Sequence, residues 1–285
     1  MNYMKFLFLI LILSVLNGFA QHEEQVYVPD PNPHIQQRID QWQDIKFGLL
    51  MHWGPYSQWG IVESWSICPE DEGWCVPDTV KDYFHYKKQY ENLGRTFNPD
   101  KFDPVKWAKA ARNAGMKYVV FTTKHHDGFC MFDTRYTNYK ITGKDCPFHT
   151  NPKADVTREI FNAFRNEGLW IGAYFSKPDW HCPDYWWPQF PPFDRNVNYD
   201  PAAYPEKWQS FVDYTHNQVM EICSNYGKID LMWFDGGWVQ KHPDKGPAPK
   251  VPGFKVKKYF NQDINMDELV DKIRSKQPDC IVVDR

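Results

Sequence analysis

Short apolar runs alternate with longer stretches of helical periodicity along most of this chain. Runs that are apolar throughout are typical of parallel strands buried on both faces. Helical stretches between such runs are typical of βα units. The predicted strands are residues 47–52, 118–124, 170–176, 229–235 and 281–284, and the predicted helices are residues 35–42, 104–114, 156–167, 205–226 and 266–276.

Polar side chains follow the C-terminal end of every predicted strand, and enzymes with a (β/α) barrel build their sites at that end. A doubly wound sheet would also fit the alternation, but no GxGxxG or Walker-type loop opens a helix. We therefore predict an α/β fold, specifically an irregular (β/α) TIM-like barrel. It is incomplete, because a closed barrel has eight strands. Two irregular insertions, residues 63–90 and 179–204, are expected at the same mouth, where long loops are commonly functional.

The first twenty residues resemble a secretory signal peptide. Lys5 precedes an apolar run at residues 6–13, and Gly18 and Ala20 supply small residues before a cleavage site. The run is shorter than the roughly 20 residues of a membrane span, and no cysteine for a lipid anchor follows. We predict a signal peptide at 1–20, a barrel domain at 21–285, a secreted or periplasmic location, and no membrane association after cleavage.

Charge and composition narrow the class of partner. The formal net charge is −3 and no basic stripe is present, which argues against nucleic acid. Aromatic residues make up 17% of the chain, with 13 Trp, as expected for either carbohydrate recognition or the packing of large rings. The seven cysteines lack paired CxxC spacing, so no structural zinc site is predicted. Export permits disulfides; Cys68 and Cys75 are the one locally plausible pair, and the odd count leaves a thiol. No motif sets an oligomeric state.

One predicted strand delivers a single carboxylate, Asp235, onto a glycine turn between Trp233 and Trp238. A carboxylate among aromatic rings suits a sugar site, because the rings cover the apolar face of the sugar while the carboxylate meets the reacting carbon. The alternative is an aspartate that caps a following helix.

Three segments then carry a family resemblance. Residues 46–54 (KFGLLMHWG), 117–129 (KYVVFTTKHHDGF) and 233–237 (WFDGG) resemble, in order and spacing, the retaining α-L-fucosidases of glycoside hydrolase family 29. The resemblance implies a barrel enzyme that hydrolyses terminal α-L-fucosyl linkages. Its substrate would be a fucosylated oligosaccharide or glycoconjugate, and it would need no cofactor and no metal.

The resemblance also implies roles for single residues. Asp235 matches the nucleophile that forms a covalent fucosyl-enzyme, with net retention. His52, His125 and His126 match histidines that contact the fucose hydroxyls. The other implied substrate-binding residues are Glu63, Trp65, Tyr174, Trp233 and Arg285. Ser64 lies between Glu63 and Trp65, where the family often has the pair adjacent.

A retaining glycosidase needs a second carboxyl group as general acid and then base. The family usually supplies it after the arginine motif, so we expect the acid/base beyond Arg285 and a chain that is truncated relative to the family. Glu63, Asp179 and Glu72 are the acids within the chain that could substitute, and Glu63 is the most plausible by position.

Three alternatives stay open at this stage. The chain could be a non-catalytic fucose-binding relative that lacks the acid/base, or a retaining α-galactosidase-like enzyme. His125, His126 and Asp127 could instead bind a metal. However, neighbouring residues on a continuing strand would point to opposite faces.

Overall fold

The computed structural model describes residues 27–69, 73–77, 80–242 and 260–285. Its strands form one five-stranded parallel sheet whose order follows the chain, β1-β2-β3-β4-β5. This sequential order is that of a barrel, since a doubly wound sheet reverses its order at a switch point. The strands are β1 (Gly48–Met51), β2 (Tyr118–Lys124), β3 (Trp170–Ser176), β4 (Leu231–Asp235) and β5 (Ile281–Asp284).

The predicted α/β, TIM-like fold is confirmed, and each predicted helix is present. The first helix begins two residues before its predicted start, because the Asn32 side chain accepts the backbone N–H groups of His34 and Ile35 and so caps a polar first turn; it ends three residues after its predicted end, at Ile45. The α-helices of the described residues are α1 (Pro33–Ile45), α2 (Tyr83–Glu91), α3 (Pro104–Asn113), α4 (Val156–Asn166), α5 (Pro205–Asn225) and α6 (Met266–Lys276).

The prediction that residues 63–90 are wholly irregular was wrong, because helix α2 lies at their end. Asp82 caps this helix by accepting the N–H of His85. Only Tyr86 and Tyr90 are buried along it, so its apolar stripe is too narrow to stand out in the sequence. The prediction for residues 179–204 holds, since no helix or strand lies between β3 and α5.

The main core lies between the sheet and the helices on its convex face. Alternate strand residues such as Phe121, Ala173 and Met232 pack there against α3, α4, α5 and α6. The other residues of each strand face the concave side, where Thr122, Tyr174, Trp233 and Val283 form one row. Burial on the convex face therefore fixes which side chains point into the barrel.

Helix α1 lies at the N-terminal ends of the strands. Arg38 forms an ion pair with Asp230 at 2.8 Å and lies 3.9 Å from the centre of the Trp170 ring. The other carboxylate oxygen of Asp230 accepts the N–H of Ile171 at 2.9 Å. These side-chain bonds explain why β4 begins at Leu231, two residues after the predicted start.

The two insertions, together with Tyr56 and residues of later segments, form a second, aromatic core above the C-terminal ends of the strands. Tyr56, Tyr90, Trp180 and Trp186 belong to it, and the Trp180 and Trp186 rings stack 5.0 Å apart. The insertions are thus packed walls of the barrel mouth.

The remaining sequence predictions concern the N-terminus, Glu72, membrane association and the cysteines. The predicted signal peptide and Glu72 lie outside the described residues. Within those residues, none of the helices is both long and apolar enough to pass through a bilayer. Cys130, Cys146, Cys182, Cys223 and Cys280 are buried thiols; Cys68 and Cys75 are also buried, and their pairing stays a prediction.

Candidate active site

Asp235 is the last residue of β4, and both of its carboxylate oxygens are held. Oδ1 accepts the N–H of Gly236 at 2.7 Å, and Oδ2 accepts the hydroxyl of Tyr174 at 2.7 Å. Gly236 has φ +98°, and a Cβ there would lie 2.4 Å from Cδ of Pro178. Only glycine fits this turn, so the turn fixes the carboxylate at the strand end with its oxygens oriented.

Three histidines gather beside this carboxylate. The rings of His125 and His126 lie 4.3 Å apart, and the His52 ring lies 5.3 Å from His125 and 4.7 Å from Tyr174. Strand β2 ends at Lys124. Because the chain turns there, the side chains of His125 and His126 do not diverge as they would on a continuing strand.

Each of these imidazoles is held through Nδ1 by a hydroxyl group. His52 pairs with Thr122 at 2.6 Å, His125 with Ser64 at 2.5 Å, and His126 with Ser176 at 2.6 Å. Among the described residues, Nε2 of His126 is buried without a hydrogen-bond partner and so is left to meet a ligand.

The histidines are uncharged near neutral pH. Burial lowers the pKa of His52, an effect that Asp235 opposes and Arg285 reinforces. Burial, followed by the neighbouring imidazoles His126 and His52, holds the pKa of His125 well below its usual range. Burial and the charge of Arg195 do the same to His126. A neutral imidazole has one donor and one acceptor, which suits the hydroxyl groups of a neutral sugar.

Aromatic rings wall the His126 side of the site. The Trp65 ring lies 5.0 Å from the ring of His126 and 5.9 Å from that of Trp238. The guanidinium of Arg195 lies 4.8 Å from the Trp65 ring and 4.9 Å from the Trp238 ring. Such cation–π contacts stabilise the positions of both rings.

Trp233 lies deeper on the concave side, in register with Tyr174 on the neighbouring strand. Its ring meets that of Trp42 edge-to-face at 6.5 Å. The indole Nε1 is buried and has no hydrogen-bond partner among the described residues. Trp233 therefore lies beside Tyr174 on the concave side, two residues before Asp235, and its indole N–H is a donor without a partner among the described residues.

Glu63 and Arg285 lie at the rim. Glu63 is half-buried and adopts φ +35°, a backbone conformation that non-glycine residues rarely take. Burial and then the charge of Asp235 raise its pKa, so its carboxyl group lies near Asp235. Arg285 is exposed at the end of β5, and its charge reaches His52. All of the sequence-predicted site residues are thus brought to one mouth.

Residues 14–285 match the sequence profile of the alpha-L-fucosidase family. The chain belongs to this family. A curated member, a putative alpha-L-fucosidase of Caenorhabditis elegans, is 27% identical over 235 residues, which are 80% of this chain and 44% of the relative.

Solved structures of the family share the fold. Alpha-L-fucosidase isoenzyme 1 from Paenibacillus thiaminolyticus is similar with a TM-score of 0.62 and 34% identity, over 87% of this chain and 50% of that one. Alpha-L-fucosidase AlfC from Lactobacillus casei, in complex with its alpha-L-fucose product, has a TM-score of 0.57 and 27% identity, over 88% and 70%. The chain spans about half the length of the curated relatives it matches.

In this family member, Asp179 is not available as an acid/base. It is 1% exposed, and its Oδ2 lies 3.1 Å from Nζ of Lys124 and 3.1 Å from the Tyr214 hydroxyl. Its Oδ1 accepts the N–H groups of His181 and Cys182. Burial is the largest single effect and raises the pKa of Asp179, but the charges of Lys124 and His181 and the hydrogen bonds from Lys124 and Cys182 together outweigh it, so the pKa is lowered. Of the two described candidates for a second carboxyl group, only Glu63 has a pKa that the charge of Asp235 affects.

Sequence reasoning missed the residues that support the fucosidase-family site. Ser64, Thr122 and Ser176 hold the histidines, and Arg195 holds the tryptophans. Each of these residues contacts a partner that is distant in the sequence, and no local sequence pattern marks such a contact. One signal was available for Thr122. It lies in the row of β2 residues on the concave side, next to strand β1, which leads to His52.

Proposed function

We propose that this chain carries the catalytic site of an exported retaining α-L-fucosidase in which Asp235 is the nucleophile. The observation that carries the proposal is the carboxylate of Asp235, held by Tyr174 and by a glycine turn beside three neutral imidazoles. Family membership and a relative that holds an alpha-L-fucose product support fucose as the sugar.

The proposed chemistry has two displacements. A carboxylate oxygen of Asp235 attacks the anomeric carbon, the bond from that carbon to the leaving oxygen breaks, and the leaving oxygen takes up a proton. Water then attacks the same carbon from the opposite side, loses a proton to a base and releases the carboxylate. Two inversions give net retention.

The site supports this sugar class through its neutral polar groups. Fucose carries no charge, three free hydroxyl groups and a methyl group. His52, His125 and His126 can match hydroxyl groups without introducing a charge. Trp65 and the other rings can cover the apolar face and the methyl group.

A trapping experiment tests the nucleophile separately from the acid/base. 2-Deoxy-2-fluoro-L-fucosyl fluoride needs little protonation of its leaving group, so we expect it to label Asp235. Peptide mass spectrometry locates the adduct. Asp235→Asn should not be labelled. Asp284→Asn is the matched control, because Asp284 ends the neighbouring strand and pairs with Lys177 instead of facing the site.

The outcomes separate the alternatives. Labelling of another carboxylate, or none in a chain shown by circular dichroism to be folded, would reject Asp235 as the nucleophile. Binding of L-fucose without labelling would support the binding-only relative. Faster turnover of an aryl α-D-galactoside than of the aryl α-L-fucoside would reject fucose as the sugar.

Export is a separate part of the proposal and rests on the composition of residues 1–20. We expect the full chain, expressed with its own N-terminus in a bacterial host, to reach the periplasm and lose these residues. N-terminal sequencing of the periplasmic protein checks this, and an uncleaved chain in the cytoplasm would contradict it.

A further inference from the structure

A chain of hydrogen bonds links His126 to the carboxylate of Asp235. Nδ1 of His126 lies 2.6 Å from Oγ of Ser176, and that Oγ lies 3.4 Å from the hydroxyl oxygen of Tyr174. The Tyr174 hydroxyl lies 2.7 Å from Oδ2 of Asp235. Ser176 and Tyr174 are both buried, so water does not compete along this path.

Counting protons gives each bond of this path a direction, provided that the long Ser176–Tyr174 contact of 3.4 Å is made as a hydrogen bond. A carboxylate only accepts, and a phenol has one proton to give. Burial and the charge of Asp235 hold the pKa of Tyr174 well above its usual value, so the phenol keeps its proton and donates a hydrogen bond to Asp235. The Tyr174 oxygen can then only accept from Ser176. Since the single Ser176 proton goes to Tyr174, the Ser176 oxygen accepts from His126.

The other nitrogen of His126 is the end that meets a ligand. Its Nε2 is buried and has no hydrogen-bond partner among the described residues. The rings of Trp65, Trp180 and Trp238 surround the imidazole at 5.0, 5.1 and 5.2 Å. A neutral imidazole that is protonated on Nδ1 presents a bare lone pair at Nε2.

We propose that Ser176 is a positioning residue that holds His126 in the Nδ1-protonated tautomer, so that Nε2 accepts a hydrogen bond from a hydroxyl group of the bound sugar. The identity of that sugar rests on the proposed function; the tautomer does not. At this position the site selects a ligand that donates a hydrogen bond, and the same chain of hydrogen bonds orients the Tyr174 hydroxyl on Asp235.

The experiment is nuclear magnetic resonance of the full chain labelled with ¹⁵N at histidine. In the free protein we expect the His126 Nδ1 to resonate as a protonated nitrogen and Nε2 as an unprotonated one. His216 is the internal control with the opposite tautomer, because its Nε2 lies 2.7 Å from the carbonyl oxygen of Ile264, which only accepts.

Two variants make the test specific. Ser176→Ala should move the His126 tautomer towards Nε2 protonation and leave His216 unchanged, whereas Ser176→Thr, which keeps a hydroxyl, should retain the wild-type pattern. We also expect Ser176→Ala to lower kcat/KM for an aryl α-L-fucoside about tenfold, the loss of one hydrogen bond. Ser176→Thr should recover most of that activity.

Each result bears on one proposal only. Protonated Nε2 in the wild-type protein, or an unchanged tautomer in folded Ser176→Ala, would overturn the role of Ser176. Addition of L-fucose should shift the His126 Nε2 resonance while Nδ1 stays protonated. The expected tautomers without any response to L-fucose would leave the role of Ser176 in place and contradict fucose as the ligand.

Discussion

The segment from Lys124 to Asp127 contributes to two polar clusters that differ in how fully their hydrogen bonds are satisfied. Lys124 and Asp127 point away from the site, and their charged groups are bonded to Asp179 and Gln218 and to Tyr90. His125 and His126 point into the site, and Nε2 of His126 has no partner among the described residues.

Within this one segment, the difference distinguishes residues that stabilise the fold, here called the framework, from residues that meet a ligand. A buried polar group without a partner is costly, so it persists where a ligand completes it. A buried ion pair whose charged groups are bonded to each other and to further partners instead holds parts of the fold together. The Lys124 cluster ties β2 to the second insertion and to α5 through Asp179 and Gln218. We therefore expect variants of one cluster to change stability and variants of the other to change sugar recognition.

The largest expected effect is that of Lys124→Met on stability. The change leaves the buried Asp179 without its cation, which costs about 3–5 kcal/mol in free energy of unfolding. Urea denaturation measures it. Arg95→Met is the control, because Arg95 pairs at 3.4 Å with Asp145 and both side chains are exposed (65% and 71%), and such pairs contribute about 0–1 kcal/mol. Equal losses in the two variants would contradict the framework role of Lys124.

Asp127 should make stability depend on pH. Burial raises its pKa from 3.8 to about 6. The unfolded chain therefore loses this proton first as pH rises, so the contribution is fully present below pH 3.8 and is lost as pH rises through about 6. We expect the unfolding free energy of the wild type, relative to Asp127→Asn, to fall by about 3 kcal/mol across this window. A constant difference between the two proteins would contradict the raised pKa.

Glu63→Gln tests whether the Glu63 carboxyl group binds the sugar or acts as the acid/base. If Glu63 binds the sugar, as the family resemblance implies, losing its charged hydrogen bond should lower kcat/KM for an aryl α-L-fucoside about tenfold, and azide should not restore turnover. Glu206→Gln at the exposed start of α5 is the control. Restoration by azide in Glu63→Ala would instead assign Glu63 the acid/base role.

The fold was more predictable than the contacts within the site. Apolar runs located all five strands, and β2, β3 and β5 have the predicted bounds, because burial on both faces leaves a continuous signal. Motif order located Asp235 and the histidines. The pairs Ser64–His125 and Ser176–His126 join residues 61 and 50 positions apart, and only tertiary packing brings them together.

The smallest effect, and the finest test of the comparison, concerns Thr122. Its Oγ1 donates to the carbonyl of Met51 at 3.0 Å, so it must accept from Nδ1 of His52 at 2.6 Å. Thr122→Val removes this acceptor, but His52 is only half-buried and water can replace it. We expect kcat/KM to fall about fivefold, which corresponds to about 1 kcal/mol.

Thr123→Val is the matched control for that prediction. Thr123 is adjacent but faces the opposite side of β2, where its hydroxyl donates to the carbonyl of Tyr174 at 2.7 Å. This variant should lower the unfolding free energy by about 1 kcal/mol and leave the His52 resonances in place. If Thr122→Val and Thr123→Val lowered kcat/KM equally, the Thr122 hydroxyl group would affect activity through the structure of β2 and not through its hydrogen bond to the His52 imidazole. The distinction between residues that stabilise the fold and residues that serve the site would then not hold for the neighbours Thr122 and Thr123.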